Sequence, residues 1–434
     1  MIDAQARPAA YLKLLGFVAL LGVVIALITF LFMALVHQGT ALIWEQGADM
    51  VGIDPRLFTL LVCTLGGLLV GLLMKLFGDH TGIFAEVMLE FGKTGRFDYR
   101  NAPGIVLTAF VSLLAGGSLG PEAPLADASG GIGTLLADRL KLDEQETRTL
   151  GYSGVSGMLA AFITSPFGGP ILGLESAQGG TGGKQTYFWV LFPSLLASAV
   201  ATVVFVLLSG HFFETMYKFP DYTPQVIDLL YAVPLGLIGG VVGLLFMLAL
   251  KRLQQIFQPM RHRLVLRGLI GGLAMGIIGA LLPMTLFSGE EETIDLITHA
   301  AEIGVVMLIV LGLVKLFATA LLLATGWKGG YIFPIMFAGV ALGLAVNLIF
   351  PAIPVAVTVA ATMAGAMVAA LRAPLFAALF TAALVQVETS PVIAVAVVVS
   401  ALLTALLALY AARRAADAGA SESGNADHPQ RGAA

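Results

Sequence analysis

Six apolar stretches of this chain are each long enough to cross a bilayer as a helix: 15–36, 57–77, 187–208, 227–250, 269–287 and 304–323. A crossing needs about 20 such residues, and lipid tolerates no backbone polar group without a partner. The chain therefore reads as an all-α polytopic membrane protein with the lipid bilayer as its solvent. Composition agrees. Of 434 residues, 58% are hydrophobic and only 12% charged, against about 45–50% and about 25% in a soluble domain. That balance excludes a soluble enzyme, a nucleic-acid binder and a disordered scaffold. A single cysteine, Cys63, excludes a disulfide framework and a cysteine-based metal site. No cofactor is expected. The first stretch is too long for a signal-peptide core and reads as a retained helix.

Other apolar runs are interrupted. The run 106–115 stops at glycines and restarts at Pro124. The run 151–174 breaks near Pro166, 331–350 follows Lys328-Gly329-Gly330, and the run after Pro354 breaks at Arg372-Ala373-Pro374. Broken helices occur inside membranes where their freed backbone groups are buried or line a cavity. They point to a transporter or channel, not a simple anchor.

Most of the 23 basic residues fall in 1–14, 75–104, 138–148, 175–186, 250–267 and 411–434, whereas 288–302 carries Glu290-Glu291-Glu292. The positive-inside bias puts both termini in the cytoplasm. The membrane domain is expected over 1–414, and the polar tail 415–434 reads as disordered.

The chain also repeats itself. Leu113-Leu114-Ala115-Gly116-Gly117-Ser118-Leu119-Gly120 compares with Leu322-Leu323-Ala324-Thr325-Gly326-Trp327-Lys328-Gly329, and Met158-Leu159-Ala160-Ala161 with Met367-Val368-Ala369-Ala370. Both pairs lie 209 residues apart. Two matches at one offset suggest a duplicated unit, with halves at about 57–209 and 227–410. Paired repeats with broken helices place a site near the midplane, at the repeat interface.

In each half a glycine-rich break leads to a proline that opens an apolar helix, at Pro121 and Pro124 in the first and Pro334 in the second. Proline suits a first helical turn, where its missing N–H costs nothing. The other N–H groups there are unpaired donors at the positive end of a dipole. Two such ends facing one point bind an anion without a formal positive charge, which keeps the ion free to leave. Glu122 sits in the first turn, and an ionisable group at membrane depth is a functional candidate by default. Desolvation disfavours its ionised form and the helix dipole favours it. Such a carboxylate can block the site when ionised and release it when protonated. It can equally be a plain helix cap, and the residue types alone do not separate the two.

At these residues the chain resembles the CLC chloride channel and transporter family, from about 60 to 410. Leu119-Gly120-Pro121-Glu122-Ala123-Pro124 resembles the family's G-[KR]-E-G-P element, and Gly330-Tyr331-Ile332-Phe333-Pro334 its G-x-F-x-P element. Met367 to Leu375 resembles A-x-x-R-A-P-L, and Ala160-Ala161-Phe162 with Pro166 resembles A-A-F-N-A-P. The resemblance implies two inverted halves with broken and re-entrant helices, usually in a homodimer with one pore per subunit. It implies a gating role for Glu122, and anion contacts at Gly120, Glu122, Ala123, Gly330, Tyr331 and Ile332. Thr81 stands in His80-Thr81-Gly82-Ile83-Phe84 where the family places a serine hydroxyl. The family's inner proton-accepting glutamate aligns with Ser176, and Glu175, one residue earlier, is the candidate for that role. Tyr410 is the candidate pore tyrosine or, equally, an interfacial aromatic anchor.

The leading expectation is thus transport of a small inorganic anion, chloride first, as a channel or as a proton-coupled exchanger in the plasma membrane. Fluoride is the alternative ion. A distant alternative, an intramembrane serine protease, rests on Gly154-Val155-Ser156-Gly157. It needs a histidine base, and none of the six histidines falls mid-span.

Overall fold

The computed structural model describes residues 8–80, 83–176, 186–210 and 217–426. Among them there is no β-strand, and eight helices are long and apolar enough to cross a membrane. Their ends follow local chemistry. Asp54 accepts the N–H groups of Arg56 and Leu57 to open Pro55–Phe77, and Asp143 with Glu146 forms a capping box at the start of Glu144–Ile163. The crossing expected at 269–287 is shifted. The helix runs Leu264–Leu281 and stops short of Pro283, whose ring cannot continue it.

The two halves reuse one plan. Pro8–Thr40 packs on Glu144–Ile163 and Phe192–Ser209, and Val226–Phe257 packs in the same way on Val355–Leu371 and Ser390–Ala426. The first half therefore begins at the opening helix, not near residue 57, because that helix completes the same bundle. Short helices fill equivalent places: Gly168–Ser176 in the first half and Pro374–Leu384 in the second. With 9 and 11 residues they are too short to span.

The halves meet along Pro55–Phe77 and Leu264–Leu281. Glycines let the backbones touch: a Cβ on Gly67 would strike Gly268 and Gly272, and one on Gly71 would strike Leu264 and Val265. Gly276 lies against Leu60 and Gly272 against Cys63. Positions rise along one helix as they fall along the other, so these equivalent helices run antiparallel. That is the mark of an inverted repeat. The tail differs from expectation: the last helix continues through 415–426, where Ala415, Ala416, Ala418 and Ala420 favour helix. Residues 427–434 lie outside the described region.

Candidate functional site

Both helices leading to the breaks end in the same way. After Ala102–Leu114, Gly116 adopts φ 78° and Gly117 N–H donates to Ser112 O at 3.0 Å. After Val305–Ala324, Gly326 adopts φ 94° and Trp327 N–H donates to Leu322 O at 3.0 Å. Each is a left-handed glycine stop that satisfies the last carbonyls. The equivalence here is 210 residues, one more than the sequence match. Later, Thr164 and Arg372 take the same left-handed position 208 apart, since Glu144–Ile163 has 20 residues and Val355–Leu371 only 17.

The chain then turns inward from both sides. Gly120 N–H donates to Gly330 O at 2.9 Å, and Gly330 N–H to Gly120 O at 2.6 Å. This reciprocal pair ties the two breaks at one point. Gly120 and Gly330 were expected as anion ligands, but their N–H groups are engaged with one another. Their contribution is the missing side chain, because a Cβ on either would overlap the Glu122 carboxylate.

Directly beyond the pair, the Glu122 helix (Glu122–Leu140) and the Ile332 helix (Ile332–Ile349) begin. Glu122 is 0% exposed. Its Oε1 accepts the Ile332 N–H at 2.7 Å, and its own N–H and that of Phe333 also bear on the carboxylate. Oε2 has no partner. An acidic side chain from one half thus sits on the helix N-terminus of the other, where two sets of amides converge. Ala123 and Tyr331 are buried beside it.

Side-chain bonds lock the locus. Thr319 Oγ1 donates to Ser118 O at 2.8 Å, Lys328 N–H to Ser112 Oγ at 3.2 Å, and Trp327 Nε1 to Gly268 O at 3.1 Å. Lys315 is fully buried and donates to the carbonyls of Met284, Leu286 and Phe287 at 3.3, 2.8 and 3.2 Å. The ammonium turns inward and holds the loop at Met284 to Phe287.

Two cavities adjoin the site. One, of about 350 Å³, opens beside the basic segment 250–267 and is lined by Glu86, Arg261, Arg267 and Lys328 among others. Asp79 bridges Arg267, at 2.5 Å, and Lys328, at 3.4 Å. The other, of about 290 Å³, lies at the acidic cluster and is lined by His37, Glu45, Pro121 and Glu290 to Glu292. Burial and the carboxylates of Glu291, Glu292 and Glu122 push Glu290 up to about 8. Reading by sequence missed Arg267, which looked like one more loop base. Its signal was the lone acid, Asp79, at the end of a crossing.

Two expected residues, Tyr410 and Glu175, are not brought here. Thr81 lies outside the described residues. Tyr410 is 59% exposed on the final helix, under Arg414, because that helix runs straight on instead of breaking inward. Glu175 receives the N–H groups of Leu375 and Phe376 at 2.7 and 2.9 Å, capping Pro374–Leu384 across the repeat. Ser156 is buried in a helix whose backbone touches Gly169, a packing position rather than a nucleophile's.

Comparison with known proteins agrees with this fold. The sequence matches the voltage gated chloride channel family over residues 66–405. It is 28% identical over 353 residues to the putative ion-transport protein YfeO of Escherichia coli O1:K1 / APEC and of strain ED1a, covering 79% of this chain and 80% of theirs. Its fold is similar to that of a slow cyanobacterial Cl-/H+ antiporter (TM-score 0.80, 21% identity, 91% of this chain and 95% of the other). It is also similar to a CLC-type fluoride/proton antiporter (TM-score 0.75, 20% identity, 91% and 95%).

Proposed function

Because the chain belongs to the voltage-gated chloride channel family, a family of anion transport proteins and not of enzymes, we propose that it carries chloride across the plasma membrane through a pore closed by the Glu122 carboxylate. The observation that carries this reading is the bond from Ile332 N–H to Glu122 Oε1. The carboxylate occupies the amide donors that an anion would use. When Glu122 takes a proton it loses its charge, leaves the donors and admits the anion. Gly120, Ala123, Gly330, Tyr331 and Ile332 frame that anion position, and the family resemblance assigns Thr81 the role of a hydroxyl ligand.

Proton-coupled exchange fits the gate, since one group competes for a proton and blocks an anion. On this reading Glu175, half-buried at a helix start, is the inner proton acceptor. Both termini face the cytoplasm and the protein works as a homodimer. Fluoride is the second reading, favoured by the likeness to a fluoride/proton antiporter. Purified protein in chloride-loaded liposomes tests the proposal. Uphill proton movement driven by a chloride gradient marks exchange, and chloride flux without it marks a channel. Fluoride flux that chloride does not compete away selects the second ion. Flux in Glu122→Ala with an unaltered pH profile sinks the gate.

A further inference from the structure

Tyr331 holds a hydroxyl that nothing among the described residues satisfies. The residue is 1% exposed and its Oη has no hydrogen-bond partner. A buried hydroxyl left alone is costly, and buried tyrosines ordinarily find an acceptor. The side chains of Thr29, Ser153, Ser194, Ser198 and Thr381 are also buried without a partner. Those short hydroxyls sit on helices, where one rotation offers the carbonyl four residues back. A phenol cannot fold back onto its own backbone, so its acceptor has to come from elsewhere.

The ring has no freedom to search for one. Gly330, before it, is bonded in both directions to Gly120. Ile332, after it, donates its N–H to Glu122. Phe246 packs on the ring, with centroids 5.3 Å apart. The charged groups that act on the phenol are Glu122 first, then Glu86, with Arg372 opposing. Glu86 lines the cavity on the basic side. Glu122 Oε2 is likewise without a partner among the described residues, so two unsatisfied buried polar atoms belong to one junction: the gate residue, and the residue flanked by Gly330, which packs on its carboxyl, and Ile332, which donates to it.

We propose that the Tyr331 phenol is a direct side-chain ligand of the transported anion, donating its O–H beside Glu122. This rests on the anion-transport reading and assigns it a selectivity residue beyond the backbone amides. A neutral donor suits the task. It holds the ion by one charge-assisted bond and adds no positive charge to trap it.

The test uses full-length protein, with chloride and fluoride as separate probes in calorimetry and in liposome flux. Tyr331→Phe keeps the ring and removes only the donor. Binding of the carried ion is expected to weaken about tenfold or more, and the preference between the two halides to change. Tyr331→Phe with wild-type affinity and preference overturns the inference while leaving transport intact. A wild-type protein that carries neither ion overturns the parent reading as well. A second readout needs no variant: chloride or fluoride added to wild-type protein perturbs the near-ultraviolet absorption of a buried tyrosine, and no perturbation at saturating anion overturns the inference.

Discussion

The two broken turns share a backbone and differ in what they put into it. Each follows a left-handed glycine stop, each presents a paired glycine, and each opens a helix one residue beyond the next. The first turn then carries Glu122 and the second Ile332. One turn supplies the charge and the other the amide that receives it. The helices leading in differ too: Val305–Ala324 holds Lys315, while Ala102–Leu114 holds no charged residue. Duplication gives a symmetric pair of facing helix starts, and a single acidic side chain makes that pair one-sided, as the proposed gate requires.

The largest effect should come from restoring a side chain at the crossing point. In Gly330→Ala the new Cβ overlaps the Glu122 carboxyl, so the two turns can no longer close on it. Overpacking of this kind costs about 1–3 kcal/mol. Melting of the purified protein should fall and anion flux should be lost. A Gly330→Ala protein with native flux breaks the idea that the two turns close on one carboxylate. Next is Glu122→Gln, which keeps the shape and removes the charge. Flux should persist with a much weaker pH dependence, because no proton is then needed at Glu122 to clear the site.

Lys315→Met probes the other asymmetry. It leaves the carbonyls of Met284, Leu286 and Phe287 without their donor, at a cost of about 1–3 kcal/mol. Melting temperature should drop while the pH profile of flux keeps its shape. A changed profile with unchanged melting assigns Lys315 to the gate instead.

Periodicity and breakers made much of this legible. Six of the eight crossing-length helices, the repeat and the proline-led turns follow from run lengths and from Gly116, Pro121, Gly326 and Pro334. The exact equivalence did not, because 209 is neither the 210 of the turns nor the 208 of the later helix ends. A helix three residues shorter absorbs the drift without changing the pattern of apolar residues. The pairing of Gly120 with Gly330 was equally invisible. It joins residues 210 apart, and both glycines read as donors until their N–H groups were found engaged. Tyr410 shows the opposite failure. A residue type expected near the end of the chain was found there, but whether a helix breaks inward depends on packing that its own sequence does not encode.

The smallest expected effect concerns the acidic cavity beside the first turn, which contains Glu290 to Glu292, His37 and Glu45. Glu290 stands at about 8 in the folded protein against an ordinary 4.5. The fold therefore favours its neutral form. The resulting stability is fully present below about 4.5 and is lost as pH rises through about 8. Melting temperature should decline across that window, and Glu290→Gln should flatten the decline. The same titration adds negative charge next to Glu122, so anion flux should weaken over the upper part of the window in the wild type and less so in Glu290→Gln. Flux that falls equally in both proteins assigns the pH response to Glu122 alone, and leaves the acidic cavity a structural feature of the first turn.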